Sequence, residues 1–319
     1  MKALRFSAFG EPAVLSLVEV PTPEPGPREA LVRVAAGGIN PSDVKNVAGH
    51  FKQTTLPRTP GRDFAGTVVR GEKFQGQAVW GTVSGLGITR DGAHAEYVVV
   101  PNDGLALKPS SLSMPQAAAI GVPYVTAWST IIDTAQLQPG ETLLIVGARG
   151  AVGRAATQIA NWKNARVIAA DTSSDPLPGA LAVINTRTED LPARVHELTD
   201  GRGAQVVLDA VGGPMFEPSL RCLAKRGRQV AITNTGERRV SFDLIDFYHN
   251  QSRLLGFDSV GLSDPDIAAI LDRLRIGFEA GALTAPEIET TPLEDAIDAY
   301  RKIAEKRSAK KQVLVMGQQ

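Results

Sequence analysis

The segment that most constrains this chain is residues 142–153, T-L-L-I-V-G-A-R-G-A-V-G. A short apolar run (Leu143, Leu144, Ile145, Val146) enters a turn with Gly147, Gly150 and Gly153 three residues apart. Apolar residues then recur at helical spacing through Val152, Ala156, Ile159 and Ala160. Strand, tight turn and helix is the reading that fits both periods. Glycines so spaced let the backbone approach a diphosphate closely. The helix start, with Arg149, Ala151 and Val152 around it, turns its unbonded N–H groups and positive dipole end on that anion. A second strand over 166–170 runs into Asp171, twenty-one residues past Gly150. A carboxylate there is placed to accept from a ribose 2′-hydroxyl. The stretch reads as a nucleotide-binding unit.

The remaining chain divides around it. At roughly 150 residues per domain, 319 residues predict two domains. Residues 1–118 read as mostly β, with strands at 30–35, 67–69 and 96–100 separated by Gly/Pro clusters. From 119 the texture changes to alternating strands and helices. Strands at 143–146, 167–170, 182–184, 206–210 and 229–233 have the spacing of βαβ units in a parallel sheet. Ser263-Asp264-Pro265 caps a helix, Thr291-Pro292-Leu293-Glu294 reads as a capping box opening another, and the chain closes on a strand at 312–316. The expected division is 1–118 with 260–319 against 119–259.

Lys plus Arg and Asp plus Glu both number 34, so no bulk charge favours nucleic acid or an anionic membrane. No apolar run reaches the roughly 18 residues of a membrane span, and the first residues show no export signal, so the cytoplasm is the expected location. The single cysteine, Cys222, rules out an intrachain disulfide. It sits in an apolar segment and reads as a buried helical residue.

Several further blocks occur in a recognisable order. They are Gly38-Ile39-Asn40-Pro41-Ser42-Asp43-Val44-Lys45, Pro60-Gly61-Arg62-Asp63-Phe64-Ala65-Gly66, Gly92-Ala93-His94-Ala95-Glu96-Tyr97, the run A-A-A-I-G-V-P-Y-V-T-A-W at 117–128, and Asp209-Ala210-Val211-Gly212-Gly213. With the glycine turn, they resemble the zinc-independent medium-chain dehydrogenases/reductases of the quinone oxidoreductase (zeta-crystallin-like) branch. The resemblance implies an α/β protein. A GroES-like irregular β-barrel domain carries the catalytic groups, and a Rossmann doubly wound parallel sheet carries NAD(P)H. It further implies a homodimer through the cofactor domain, with 240–255 as the candidate edge.

Zinc-dependent relatives place cysteine, histidine-glutamate and cysteine in three of these blocks. Here the matching positions hold Asn40, Arg62-Asp63 and Val122. Asparagine, guanidinium and isopropyl groups are poor zinc ligands or none, so no metal site is expected. Hydride delivery to an already electrophilic acceptor, a quinone or a conjugated enone, then fits better than alcohol oxidation. A low-turnover cofactor-binding protein, structural or RNA-binding as the crystallins of this family are, is the reading from a different class. The neutral charge counts against its RNA-binding form.

By the resemblance Asn40 faces the nicotinamide, where its amide could donate to the acceptor oxygen. Lys45 completes an N-P-x-D-x-K pattern as electrophile or proton source, Asp43 is its orienting partner, and Ser42 matches a relay hydroxyl. Asn40-Pro41-Ser42-Asp43 also has the form of a helix cap, and both readings can hold. Phe51 stands where many members carry tyrosine, and walls an apolar substrate or packs in the core. His94 is loop structure or a proton shuttle beside the substrate. Thr126 resembles the threonine behind the nicotinamide, and Val211, Thr233, Asn234 and Phe257 would complete the cofactor cleft. Asn234 reads equally as a turn residue beside Gly236. The loop Asp171-Thr172-Ser173-Ser174-Asp175 holds no lysine for a 2′-phosphate, and Asp171 would repel one, so NADH is favoured over NADPH. Arg149 either lies along the pyrophosphate or points to solvent.

Overall fold

In the computed structural model, which describes residues 1–317, the chain opens on an antiparallel pair, β1 (Lys2–Phe6) and β2 (Leu15–Glu19). Next comes β3 (Glu29–Gly38), whose alternation and β-branched residues make the longest strand of the molecule. Helix α1 (Pro41–Val47) follows, then β4 (Asp63–Arg70), β5 (Ala78–Gly81), β6 (Tyr97–Pro101), β7 (Ala106–Leu107) and α2 (Met114–Ala118).

Helix α3 (Gly121–Trp128) leads into the parallel part through a wide helical turn, Ser129–Thr134. There β8 (Thr142–Val146), α4 (Ala151–Trp162), β9 (Arg166–Asp171), β10 (Ala182–Asn185), α5 (Leu191–Leu198), β11 (Ala204–Asp209), α6 (Phe216–Arg221), β12 (Leu223–Ala231), α7 (Leu244–His249) and β13 (Arg253–Gly256) succeed one another. The chain returns through α8 (Asp264–Glu279), β14 (Ile288–Pro292), α9 (Ala296–Ala304) and β15 (Lys311–Val315).

Two compact units result, Met1–Val125 with Val260–Gln319, and Thr126–Ser259. The first division falls inside α3 rather than ahead of residue 119. The first half of this helix stays with the β unit, where Tyr124 donates to Thr284 O and packs on Phe278. In the β unit the seven-stranded sheet runs β14-β15-β3-β4-β5-β7, with β6 also on β3. Its core gathers Phe6, Val32, Ile39, Phe64, Val100, Tyr300 and Leu314. The second unit is a six-stranded, all-parallel sheet ordered β10-β9-β8-β11-β12-β13. All five residues of β8 are buried, as a strand covered on both faces requires.

Two local expectations need correction. Thr291 and Pro292 do not cap a helix; they end β14, paired in parallel with Leu314 and Val315. A 3-10 turn, Leu293–Asp295, precedes α9, because the ladder to β15 takes the backbone groups that a helix start would leave open. The strand expected at 229–233 begins at Leu223 and stops at Ala231. Ser263 does cap α8, accepting from Asp266 N–H at 3.3 Å. Cys222 closes α6, fully buried with its thiol on Pro218 O; burial pushes the thiol up, and it is inert.

Candidate functional site

The glycine turn forms as its spacing requires. Strand β8 exits into Gly147 at φ +83°, a conformation that disfavours any residue with a Cβ. Gly147 and Ala148 donate to Ala170 O at 2.9 and 3.2 Å, which locks the turn onto the end of β9. Gly150 is the extended N-cap of α4 and offers no capping side chain, so the first-turn N–H groups of Ala151, Val152 and Gly153 stay available to an anion. A Cβ on Gly153 would stand 2.5 Å from Gly147 O and 2.7 Å from Ala148 Cα. Only glycine lets this helix start so close to the strand exit.

Asp171 ends β9 beside this turn. Its Oδ2 accepts Arg149 N–H and its Oδ1 accepts Thr172 N–H, each at 2.8 Å. The carboxylate is thereby fixed against the glycine turn. The Arg149 guanidinium reaches across to Asp175 O. Ser173 Oγ donates to Asp175 Oδ2 at 2.6 Å and orders the same loop. On the other side of β8, Asp209 Oδ1 accepts from Val211 and Gly212 N–H at 3.0 and 2.8 Å. Val211 Cγ2 lies 3.1 Å from where a Gly147 Cβ would be. Here the strand order reverses, between β8 and β11, which is where an open parallel sheet binds nucleotides.

Of the other cofactor candidates, Thr126 is buried in α3 with its carbonyl accepting Thr130 Oγ1 at 2.8 Å. Phe257 is half-buried just past β13, its N–H on Ala231 O. Thr233 and Asn234 are exposed past the end of β12. Asn234 Nδ2 donates to Gly236 O at 3.0 Å, which is the turn role.

The β unit holds a buried polar cluster built on the start of α1. Asn40 is the N-cap; Asp43, one turn on, accepts Asn40 N–H at 2.7 Å. The Asn40 carboxamide serves another purpose. Its Nδ2 donates to Asp63 Oδ2 at 2.8 Å, and its Oδ1 accepts Lys311 Nζ at 2.5 Å. Lysine can only donate and a carboxylate only accept, so these neighbours fix which end of the amide is which. Asp63 Oδ1 accepts Val122 N–H at 2.7 Å, and Lys311 Nζ stands 3.6 Å from Asp63 Oδ2. Arg62 completes the group, reaching Ser42 Oγ at 3.4 Å.

Burial raises Asp43 to about 6, with the like charge of Asp63 adding to it. Burial also pushes Asp63 up and Lys311 down, each opposed by the other's charge. Two N–H donors on opposite oxygens mark Asp63 as the ionised acceptor, with the ammonium beside it.

Of the remaining candidates of the β unit, the Lys45–Asp43 pairing departs from expectation, and His94 takes the loop-structure reading of its two. Lys45 is exposed on α1, and Asp43 faces inward onto Asn40, so the Lys45–Asp43 pair does not form. His94 is wholly buried and lines no open pocket. Its Nδ1 accepts Tyr300 Oη–H at 2.9 Å and its Nε2 donates to Gly38 O at 3.3 Å. Burial lowers it to about 3, so it stays neutral and shuttles no proton. Phe51 is half-buried in the turn after α1. Lys311 was not foreseen. It opens the final strand, and nothing local distinguishes it from the neighbouring Lys310.

The positions that match zinc ligands in relatives do converge, but their chemistry does not fit the metal. Both Asp63 oxygens already accept N–H groups, Asn40 Oδ1 holds Lys311, and Val122 offers only a backbone donor. Among the described residues no three His, Cys, Asp or Glu side chains come together. The glycine cradle and Asp171, by contrast, fit a dinucleotide. A parallel sheet with that cradle, and a β unit with a polar cluster at its α1 start, define a pyridine-nucleotide oxidoreductase of two units.

Comparison with known proteins gives the family. Residues 26–110 match the alcohol dehydrogenase GroES-like domain, and residues 151–275 match the zinc-binding dehydrogenase family. A zinc-type alcohol dehydrogenase-like protein of Schizosaccharomyces pombe is 36% identical over 97% of this chain and 96% of its own. The quinone oxidoreductase of Sus scrofa is 30% identical over 99% and 98%. The Escherichia coli quinone oxidoreductase complexed with NADPH superposes with a TM-score of 0.86 at 26% identity, covering 99% of this chain and all of that one. The chain belongs to the medium-chain dehydrogenase/reductase family, in its zinc-independent quinone oxidoreductase branch.

Proposed function

We propose that this protein is an NAD(P)H-dependent reductase that delivers hydride to a quinone without zinc. Bound NAD(P)H supplies the hydride and its electron pair; the acceptor is reduced as the nicotinamide is oxidised, and one acceptor oxygen takes on negative charge. The chain's part is to bind and orient. The 147–153 turn takes the diphosphate, Asp171 takes the adenosine ribose, and Thr126, Val211 and Phe257 support the nicotinamide half. In the β unit Asn40 keeps one Nδ2–H beyond its bond to Asp63, and that N–H donates to the acceptor oxygen. A proton from solvent completes the hydroquinone. The observation that carries this reading is the Asn40–Asp63–Lys311 cluster at the ligand positions of zinc-dependent relatives. It offers hydrogen-bond donation and a fixed cation, suited to an acceptor already electrophilic.

NADH is the preferred cofactor in this reading, because the Asp171 carboxylate is held at the turn by two N–H groups and would meet a 2′-phosphate as a like charge. The protein works as a homodimer through the 240–255 edge, where Leu244, Ile245 and Tyr248 of α7 and Leu254 of the edge strand β13 are exposed. Among the described residues no helix is long and apolar enough to cross a membrane.

The test is steady-state oxidation of NADH and of NADPH with 1,4-naphthoquinone and with an α,β-unsaturated ketone, alongside fluorescence titration of each cofactor. Quinone turnover with tighter NADH binding is the expected result. Turnover of the enone alone would move the chain to the enone/alkenal reductases. Tight cofactor binding with no turnover of any electrophile would refute the catalytic reading, and tighter NADPH binding the cofactor preference.

A further inference from the structure

We infer that Lys311 is a tethered cation, brought by the last strand of the fold to where zinc-dependent relatives hold their metal, and that it positions and polarises the Asn40 carboxamide for the acceptor. This rests on the reading of Asn40 as the donor to the acceptor oxygen.

The geometry is specific. The Lys311 side chain is 8% exposed and that of Asp63 is fully buried, so the ammonium is held away from bulk water. Its Nζ is 2.5 Å from Asn40 Oδ1 and 3.6 Å from Asp63 Oδ2, while Asn40 Nδ2 is 2.8 Å from the same Asp63 oxygen. The amide is thus clamped at both ends. A cation on a carboxamide oxygen draws electron density from the nitrogen and makes its remaining N–H a stronger donor, an effect that low dielectric magnifies.

A second consequence concerns charge. Asp43 and Asp63 are both buried and acidic. Negative charge developing on an acceptor oxygen near them would be repelled unless a cation balanced it. Arg62 supplies one positive charge from its contact with Ser42; Lys311 supplies the other, directly on the amide that does the donating. Lysine is therefore a positioning residue here, acting through Asn40.

Strand pairing explains how it arrives. β15 lies antiparallel to β3, with Val313 opposite Gly38, and Ile39 N–H donates to Gln312 O at 3.0 Å. The start of β15 is thus bonded to the residue just before Asn40. Gly38 also keeps the region tight, since a Cβ there would stand 2.2 Å from Ala118 O.

The experiment uses the full chain with NADH or NADPH and 1,4-naphthoquinone. Lys311→Ala and Lys311→Met are each expected to lower kcat about 10²-fold while KM for cofactor and quinone stays within about twofold, the pattern of an interaction made in the transition state. Ethylammonium added to Lys311→Ala is expected to recover kcat at least about tenfold, because it restores the cation and not the tether. The neighbouring Lys310→Met, whose Nζ meets Glu287 at 3.6 Å on the surface, is expected to leave turnover unchanged.

In an Asn40→Ala background, Lys311→Met should add no further loss if the lysine acts through the amide. A folded Lys311 variant with wild-type kcat, a loss confined to KM, a loss that ethylammonium leaves untouched, or full additivity with Asn40→Ala would each overturn the inference. If alanine fails to fold, the methionine variant and the double-mutant comparison decide. Wild-type protein inactive toward every quinone would instead refute the proposed function.

Discussion

Asp43 and His94 are both buried in the β unit, and their displaced titrations pull stability in opposite directions over the same pH range. Asp43 is raised to about 6 in the folded chain, from 3.8. The folded state takes its proton first, so its contribution is full below the unfolded value and is lost as pH rises through about 6. His94 is lowered to about 3, from 6.5. The unfolded state takes that proton first, so its contribution is full above 6.5 and is lost as pH falls. Between about pH 7.5 and about pH 5, linkage gives a loss of about 2 kcal/mol from His94 and a gain of about 1.4 kcal/mol from Asp43. The two nearly cancel.

Asp43→Asn keeps an oxygen for Asn40 N–H and removes the titration. The variant should therefore lose about 1.4 kcal/mol more than the wild type across that window. Urea denaturation of both proteins at matched pH values measures this, and the difference between them cancels the titrating groups that do not face Asp43, leaving Asp63, Arg62, Lys311 and Tyr300 as its coupled neighbours. Parallel profiles, agreeing within about 0.5 kcal/mol, would show that Asp43 is not perturbed and that the burial reasoning is wrong.

Two further outcomes follow from packing. Gly153→Ala drives a methyl to 2.5 Å from Gly147 O, so NAD(P)H affinity measured by fluorescence titration should fall at least about tenfold and the melting temperature should drop. Leu254→Lys, on the exposed edge strand β13, should turn the proposed homodimer into monomer by light scattering, with the circular dichroism spectrum unchanged.

The sequence made legible those features whose cause is local. The β8 run, the three glycines and Asp171 belong to one turn, and each carries its reason in its own side chain or lack of one. Ser263 announced its cap in the same way. Asn40 and Asp43 were recognisable as a cap, and the capping bond from Asn40 N–H is present; that the Asn40 side chain turns away to Asp63 was not, because Asp63 lies 23 residues on. Thr291-Pro292 misled because a strand partner won over a local helix signal. His94 read as loop structure or a proton shuttle, and its full burial was not legible. Glycines distant in sequence pack against it, since a Cβ on Gly61 would stand 2.5 Å and one on Gly37 2.9 Å from the His94 ring. Lys311 went unnamed for the same reason: it reaches Asn40 across 271 residues through the pairing of β15 with its neighbours, which no local pattern encodes.

The family's zinc label and this chain's cluster are reconciled by where each lies. The zinc-binding dehydrogenase match spans 151–275 and contains neither Asn40, Asp63, Val122 nor Lys311. It records a shared nucleotide-binding domain, not a shared ligand set. Within the cluster, Asp43 and Asp63 face Arg62 and Lys311, so full ionisation leaves no net charge. A divalent ion added there would leave two positive charges uncompensated in a buried space, at a cost far above what Asn40 and one carboxylate return. Metal entry would require displacing the Lys311 ammonium, whose backbone is held by pairing with Ile288 of β14 and by its N–H on Glu287 O. On the reading proposed above, the Lys311 ammonium supplies the cluster's fixed positive charge, which would suit an acceptor that needs one well-aimed N–H more than it needs a Lewis acid.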